Sequence, residues 1–131
     1  MSKVLIAEDN PVNRELLREL LEIRGHSVTE ACNGQEALDL LQKSHPDILL
    51  IDLDMPVLDG FATVHNIRGT PALASMPVLA VTAYAMQGDR EKVLASGFDG
   101  YLSKPINACE LREEMDRLLA KPRARAASPN Q

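Results

Sequence analysis

The chain alternates short apolar segments with longer amphipathic ones along its 131 residues. The apolar segments have the length of buried strands, and the longer segments repeat apolar residues at helical spacing. The alternation predicts a parallel sheet built from βα units. The predicted strands are 3–7, 27–32, 47–52, 77–83 and 100–103, and the predicted helices are 10–25, 34–44, 59–68, 87–97 and 107–120.

One of the five predicted strands, "SVTEAC" at 27–32, is more polar than the others. A strand that is buried on both faces is a continuous apolar run, so a polar strand belongs at the edge of the sheet. An edge position for the second strand favours the flavodoxin-like order 2-1-3-4-5 over the Rossmann-like order. We therefore expect an α/β fold: a doubly wound, five-stranded parallel sheet with helices on both faces.

The first predicted helix carries an apolar stripe. Asn10 is a suitable N-cap, Pro11 suits the first turn and Gly25 suits the end. The leucines at positions 16, 17, 20 and 21 recur at helical spacing, which predicts that this face packs on the sheet.

Composition limits the class of protein. Apolar residues make up 45% and charged residues 25% of the chain, as in a single globular domain. We expect this domain to span 1–120, and the small, polar "KPRARAASPNQ" at 121–131 to be a disordered tail or a truncated linker. A net charge of −5 and only 3% aromatic residues argue against nucleic-acid binding.

The sequence also favours a cytoplasmic protein. It contains no apolar run of membrane-spanning length, and "MSKVLIAEDN" leads directly into a strand without a signal peptide. Cys32 and Cys109 form no CxxC pair, which suggests two reduced thiols.

The segment "DILLIDLDMPVLDG" has acidic residues where residues of the hydrophobic core are expected. An apolar run at 48–51 leads directly into Asp52, and the first predicted strand ends in Glu8 and Asp9. In a sheet of this order, ligands bind beyond the carboxyl ends of the strands, where the winding reverses between strands one and three. Three acids that are distant in sequence are therefore expected to converge.

Clustered carboxylates repel one another, so they need a cation or a proton. A set of ligands made only of oxygen atoms suits Mg²⁺. Thr82 ends the fourth predicted strand and Lys104 follows the fifth, which adds a hydroxyl and an ammonium group to the same edge. A carboxylate nucleophile at Asp52, surrounded by a metal ion and these two groups, makes a plausible site for phosphoryl transfer.

The set formed by Glu8-Asp9, "DLDMPVLDG" from Asp52, Thr82-Ala83 and Lys104-Pro105 resembles a response-regulator receiver domain over about 1–120. The resemblance implies a phosphorylatable signalling switch. Asp52 would accept a phosphoryl group from a phosphohistidine on a histidine kinase or a histidine phosphotransfer protein. Such a domain catalyses its own phosphorylation and dephosphorylation and is not a conventional enzyme.

The resemblance also assigns roles to individual residues. It implies that Mg²⁺ is held by Glu8, Asp9, Asp52 and the backbone carbonyl of Asp54. Phosphoryl oxygens would be bound by Thr82 and Lys104. Tyr101 corresponds to the family's rotating aromatic switch, which would alter the surface for a downstream protein that the sequence does not identify. The peptide bond before Pro105 is expected to be cis.

Apolar residues surround this charged site in the sequence. Pro11 and Val12 follow the acid pair, and Ile106 follows Pro105. They are either local packing under the loops or a docking patch for the helical bundle that carries the phosphohistidine. Asn13 would belong to its polar rim.

Two alternatives use the same residues. "DLDMPVL" also resembles the motif of haloacid-dehalogenase-type phosphatases, with Asp52 as nucleophile and Asp54 as general acid. That motif needs Thr or Val at the position of Pro56, lies on the first strand, and is accompanied by a cap domain for which this chain has no room. A dinucleotide or flavin binder would need a glycine-rich loop, and "AEDNPVN" contains no glycine.

Overall fold

The computed structural model of the protein describes residues 2–53, 59–83 and 89–120. Strands and helices alternate as predicted. The bounds are β1 Lys3–Ala7, α1 Pro11–Ile23, β2 Ser27–Ala31, α2 Gly34–Lys43, β3 Ile48–Asp52, α3 Gly60–Arg68, β4 Val78–Thr82, α4 Asp89–Ala95, β5 Gly100–Ser103 and α5 Ala108–Ala120. None of the described helices is both long enough and apolar enough to cross a membrane. The expected tail at 121–131 lies outside the described residues.

The five strands form one parallel sheet in the order β2-β1-β3-β4-β5, which confirms the prediction. Every residue of β3 and β4 is buried, whereas most of the edge strand β2 alternates between exposed and half-buried positions. The polar character of β2 therefore reflects its position, since an edge strand keeps one side in contact with water.

Two hydrophobic clusters cover the two faces of the sheet. Alternate residues of a strand point to opposite faces, so Leu49 and Ile51 join one cluster while Ile48 and Leu50 join the other. Helices α2, α3 and α4 supply buried residues to the first cluster, and α1 and α5 supply them to the second. Helices on both faces were expected, and this arrangement confirms them.

Side-chain caps fix where the helices begin. The carboxamide oxygen of Asn10 accepts hydrogen bonds from the backbone N–H groups of Val12 and Asn13, at 2.9 and 3.1 Å. Asn33 and Asp59 cap α2 and α3 in the same way. The predicted ranges for α1 and α3 begin one residue early because they include the cap.

A partly buried ion pair connects the amino ends of β4 and β5. The guanidinium of Arg68, the last residue of α3, donates to Asp99 Oδ2 at 2.7 Å and twice to the carbonyl of Gly97, at 2.7 and 2.9 Å. It also donates to two carbonyls in the segment that precedes β4. Asp99 Oδ2 accepts a further bond from the Val78 N–H at 2.9 Å. Sequence analysis did not identify this cluster.

Candidate functional site

The polar residues singled out from the sequence lie at one edge of the sheet. Glu8 and Asp9 follow β1, Asp52 is the last residue of β3, Thr82 is the last residue of β4, and Lys104 follows β5. Because all the strands are parallel, their carboxyl ends share this edge. The topology therefore brings together residues that are up to 96 positions apart in sequence.

The three acids form a compact cluster. One carboxylate oxygen from each of Glu8, Asp9 and Asp52 lies within 4.8 Å of the others. Glu8 is 1% exposed and Asp52 is 5% exposed, whereas Asp9 is open to water. The cluster thus has two buried acids and one at the surface.

Lys104 connects the two buried acids. Its Nζ lies 3.0 Å from Glu8 Oε1 and 3.2 Å from Asp52 Oδ2. Its backbone N–H donates to the carbonyl of Thr82 at 2.8 Å, and its peptide bond to Pro105 is cis. Burial lowers the pKa of the Lys104 ammonium, but the close contact with Glu8 and the charges of both acids outweigh burial, so the pKa is raised. Lys104 therefore stays charged.

The two carboxylate oxygens of Glu8 have different partners. Its Oε2 accepts a hydrogen bond from the Asn10 N–H at 3.2 Å, and Arg14 donates to its backbone carbonyl at 2.9 Å. Glu8 Oε1 is buried and, among the described residues, accepts no hydrogen bond of good geometry. The ion pair with Lys104 is its close contact. Buried polar atoms normally have hydrogen-bond partners, so this oxygen has the character of a cation ligand.

The Lys104 ammonium does not offset the burial of the Glu8 carboxylate. Burial raises the pKa of Glu8 to about 7; the ion pair with Lys104 lowers it, and neighbouring Asp52 raises it further. Desolvation therefore dominates over the ion pair at Glu8. A divalent cation would reverse this balance.

The raised pKa predicts how pH affects the metal-free protein. The carboxyl group of Glu8 has a pKa of about 7 in the folded chain and an ordinary value of 4.5. The folded state thus binds more protons between these values, and the free energy of unfolding should fall as pH rises through this interval. The loss should be on the order of 3 kcal/mol. Urea unfolding in the presence of a chelator measures it, and Glu8→Gln should flatten the slope. An unchanged slope in that variant would assign the effect to another group.

The backbone at Gly60, the first residue of α3, lies close to the backbone of Asp52 and Leu53. A Cβ atom at Gly60 would lie 2.9 Å from the carbonyl oxygen of Asp52 and 2.9 Å from the Cα of Leu53. Glycine is therefore required at this position. The sequence predicted a helix near Asp59 but did not reveal this contact, which depends on how α3 returns to β3.

Thr82 and Tyr101 lie on neighbouring strands. Thr82 is buried and Tyr101 is half-buried, packed against the first hydrophobic cluster. Tyr101 is the register partner of Ala80, two residues before Thr82. Side chains two residues apart share a face, so Thr82 and Tyr101 are diagonal neighbours on the same face of the sheet.

The expected docking residues divide into two kinds. Pro11 and Val12 are exposed at the start of α1, and Asn13 is half-buried. Ile106 is half-buried and packs against the second hydrophobic cluster, so it contributes to local packing. Asp54, whose carbonyl was expected to bind metal, lies outside the described residues.

Comparison with known proteins agrees with the geometry of this site. The family model described as response regulator receiver domain matches residues 4–116. The polar-differentiation response regulator DivK of Brucella ovis is 40% identical over 104 residues, which cover 79% of this chain and 85% of that protein.

Two solved structures are similar in fold and sequence. The receiver domain of sensor histidine kinase PA1611 from Pseudomonas aeruginosa, with a magnesium ion coordinated in its active-site cleft, has a TM-score of 0.85 and 35% identity, and the match covers 92% of this chain and 98% of that one. A putative response regulator from Chloroflexus aurantiacus has a TM-score of 0.88 and 30% identity, with the same coverage.

These findings also bear on the alternative of a haloacid-dehalogenase-type phosphatase. Asp52 ends β3 and not the first strand, and the matched family is a different one, so that alternative has no support. Receiver domains are phosphorylatable switches of two-component signalling and not conventional enzymes. With a match over most of its length and close relatives in both sequence and structure, the chain belongs to the response-regulator receiver family.

Proposed function

We propose that Asp52 is the phosphoacceptor, and that its phosphoryl group comes from a phosphohistidine on a histidine kinase or a histidine phosphotransfer protein. The observation that carries this proposal is the position of Lys104, whose ammonium contacts both Glu8 and Asp52. It can stabilise negative charge on a phosphoryl group at Asp52 without leaving the site.

The proposed reaction transfers one phosphoryl group between two protein side chains. An oxygen of the Asp52 carboxylate attacks phosphorus, and the bond between phosphorus and the imidazole nitrogen breaks. The nitrogen keeps the electron pair and takes up a proton, while Asp52 becomes an acyl phosphate. Thr82 and Lys104 bind the phosphoryl oxygens.

Magnesium is the cofactor that the cluster fits. Glu8, Asp9 and Asp52 would hold the ion, and the backbone carbonyl of Asp54 is proposed as a further ligand. The buried Oε1 of Glu8, whose close contact is the Lys104 ammonium, and the all-oxygen set of ligands support this fit. When bound, Mg²⁺ supplies the positive charge that a transferring phosphoryl group requires. The PA1611 receiver domain, with magnesium in its cleft, supports the same choice.

Removing the exposed acid should weaken metal binding without harming the fold. Asp9→Ala should lower Mg²⁺ affinity roughly tenfold or more, because a partly hydrated Mg²⁺ has few protein ligands to lose. NMR titration with Mg²⁺ measures this, and Asp39→Ala, at an exposed acid on α2, is the matched control. Equal affinity in the Asp9 and Asp39 variants would exclude Asp9 as a ligand.

We also propose that Thr82 and Tyr101 transmit the signal. Phosphoryl oxygens on Asp52 would draw the Thr82 hydroxyl toward the site, and the space it leaves would be filled by Tyr101, its diagonal neighbour across β4 and β5. The surface around β5 would then change for a downstream protein.

The phosphodonor is proposed to dock around the start of α1 and the turn after Lys104. Pro11, Val12 and Ile106 would form an apolar centre, and Asn13 part of a polar rim. Val12 is 73% exposed, which supports this position, because an apolar side chain at the surface is available to a partner.

Docking and chemistry can be separated by changing the donor. Val12→Asp and Ile106→Asp should each slow phosphoryl transfer from a histidine phosphotransfer protein, while labelling by a small acyl phosphate stays near the wild-type rate. Ile23→Asp, at an exposed apolar residue near the far end of α1, is the matched control and should transfer normally. Because Ile106 is half-buried, its variant is compared only after its stability has been measured. If both donors slow equally, these residues support the site itself.

We further propose a cytoplasmic location. Cys32 and Cys109 are both free and exposed, as thiols are in reducing compartments.

A further inference from the structure

Two acids of the proposed metal site, Glu8 and Asp9, are consecutive in sequence and share one peptide group. Side chains of consecutive residues in a strand point to opposite faces of the sheet. One carboxylate oxygen of each nevertheless lies within 4.8 Å of the other and of Asp52. This is possible because β1 ends at Ala7 and the chain bends at Asp9. The orientation of the Glu8–Asp9 peptide therefore decides whether both acids face one ion.

The backbone of Glu8 is bonded on one side by the sheet and on the other by a side chain. Its N–H donates to the carbonyl of Ala31 on β2 at 3.0 Å. Strand β2 ends at Ala31, and Asn33 already caps α2. The carbonyl of Glu8 accepts a hydrogen bond from Arg14 Nη1 at 2.9 Å. A side chain of α1 thus supplies a donor where the ladder of strand hydrogen bonds stops.

The first turn of α1 holds Arg14 in place for this contact. The Arg14 backbone N–H donates to the carbonyl of the N-cap Asn10 at 2.9 Å. The N–H of Asn10 donates in turn to Glu8 Oε2 at 3.2 Å. The Arg14 side chain is only 18% exposed. The start of α1 therefore bonds both the backbone and the side chain of Glu8.

A carboxylate on β2 offsets the charge of Arg14. Arg14 Nε lies 3.5 Å from Glu30 Oε1, and Glu30 Oε2 accepts a hydrogen bond from Arg18 at 3.1 Å. An uncompensated guanidinium beside the acid cluster would repel a divalent cation. Glu30 reduces this repulsion, so Arg14 can serve the cluster as a hydrogen-bond donor.

We propose that Arg14 is a positioning residue for the metal site, an inference that rests on the proposed function. Arg14 acts through the Glu8–Asp9 peptide and not by contact with the ion. Its hydrogen bond fixes the plane of the peptide that joins two ligands, so both carboxylates are oriented before the ion arrives. Groups that orient the ligands of a metal commonly contribute tenfold or more to its affinity.

The direction of the change in Mg²⁺ affinity tests this role. Arg14→Ala should weaken Mg²⁺ binding roughly tenfold in an NMR titration. If Arg14 acted only through its charge, its removal would make the site more negative and Mg²⁺ would bind more tightly. Alanine is a good helix former, so α1 should be kept. Tighter or unchanged binding in Arg14→Ala would overturn the proposal.

Arg18→Ala is the matched control. It removes the same charge from the same helix and also takes a partner from Glu30, but the ion pairs of Arg18 are with Glu22 and Glu30 and not with the acid cluster. Its Mg²⁺ affinity should stay close to that of the wild type. Equal weakening in the Arg14 and Arg18 variants would assign the effect to the surface charges of α1 and overturn the positioning role.

A measurement without metal tests the contact itself. In the presence of a chelator, the NMR signal of the Glu8 carbonyl carbon should shift in Arg14→Ala, since the chemical shift of a carbonyl carbon depends on its hydrogen bonds. The signal should stay in place in Arg18→Ala. An unchanged signal in Arg14→Ala would mean that Arg14 does not bond this peptide, and the proposal would be wrong.

The dependence of phosphorylation on Mg²⁺ separates binding from chemistry. Labelling of Arg14→Ala by a small acyl phosphate should be slow at low Mg²⁺ and should reach the wild-type rate at saturating Mg²⁺. A defect that persists at saturation would overturn a role through the metal ligands. If Asp9→Ala weakens Mg²⁺ binding and Arg14→Ala does not, the proposed function stands and the role of Arg14 falls. If neither variant weakens binding, the metal site fails, and the role of Arg14 fails with it.

Discussion

Replacing Asp52 with Asn is expected to abolish covalent phosphorylation of the chain. The carboxamide matches the carboxylate in shape, so the fold is kept, but it offers no anionic oxygen to attack phosphorus. Incubation of the wild-type protein with a small acyl phosphate and Mg²⁺ should add a single phosphoryl group, a gain of about 80 Da by intact mass spectrometry. The Asn variant should show no gain.

A second acid of the same edge gives the control. Asp59 caps α3, and Asn is an equally good N-cap, so Asp59→Asn keeps the structure. This variant should be labelled like the wild type. Equal labelling of the Asp52 variant and the wild type would mean that the acceptor is another residue.

The phosphorylated protein also tests the proposed switch. In NMR spectra, the largest changes far from the site should fall on 89–104, which includes Tyr101, and should be absent from Asp52→Asn. Changes confined to the acid cluster would mean that Tyr101 only packs.

Replacing Arg68 with Ala is expected to lower the free energy of unfolding by about 3 to 5 kcal/mol. The side chain of Asp99 is 5% exposed and would lose its guanidinium partner. Three backbone carbonyls would lose their donor at the same time. Removing the guanidinium is costly because it leaves the buried carboxylate of Asp99 uncompensated. Urea unfolding measures the loss.

An exposed arginine shows what an ordinary ion pair contributes. Arg18 pairs with Glu22 and Glu30 at the surface of α1, so Arg18→Ala should cost no more than about 1 kcal/mol. Arg68→Lys should fall between the two, because an ammonium cannot replace the forked donors of a guanidinium. If Arg68→Ala and Arg18→Ala cost the same, the cluster around Asp99 is not structural.

Much of the fold and the site could be predicted because both depend on local patterns. The polar residues of β2 indicated its edge position, and the edge position selected the strand order. Once that order is assumed, Glu8, Asp52 and Lys104 must meet, since each follows or ends a strand of one parallel sheet. No distance had to be known for this step.

The features that were missed depend on distances that no local pattern contains. Arg68 and Asp99 are 31 positions apart, and most partners of Arg68 are backbone carbonyls, which have no signature in sequence. The requirement for glycine at position 60 arises from the path of the backbone near Asp52. The leucines of α1 were predicted as one stripe, but Leu17 is buried while Leu16 is exposed. Consecutive residues lie about 100° apart around the helix, and it is the position of the helix on the sheet that decides which of the two is buried.

The cluster around Arg68 and the cluster around Asp52 lie at opposite ends of the same strands. Val78 begins β4 at one end and Thr82 finishes it at the other, a separation of roughly 13 Å at the usual rise of a strand. Substitutions farther apart than about 7 to 10 Å generally act independently. Selection for thermal tolerance can therefore act at the amino edge of the sheet while the chemistry at the carboxyl edge stays the same, so relatives adapted to different temperatures can share one signalling reaction.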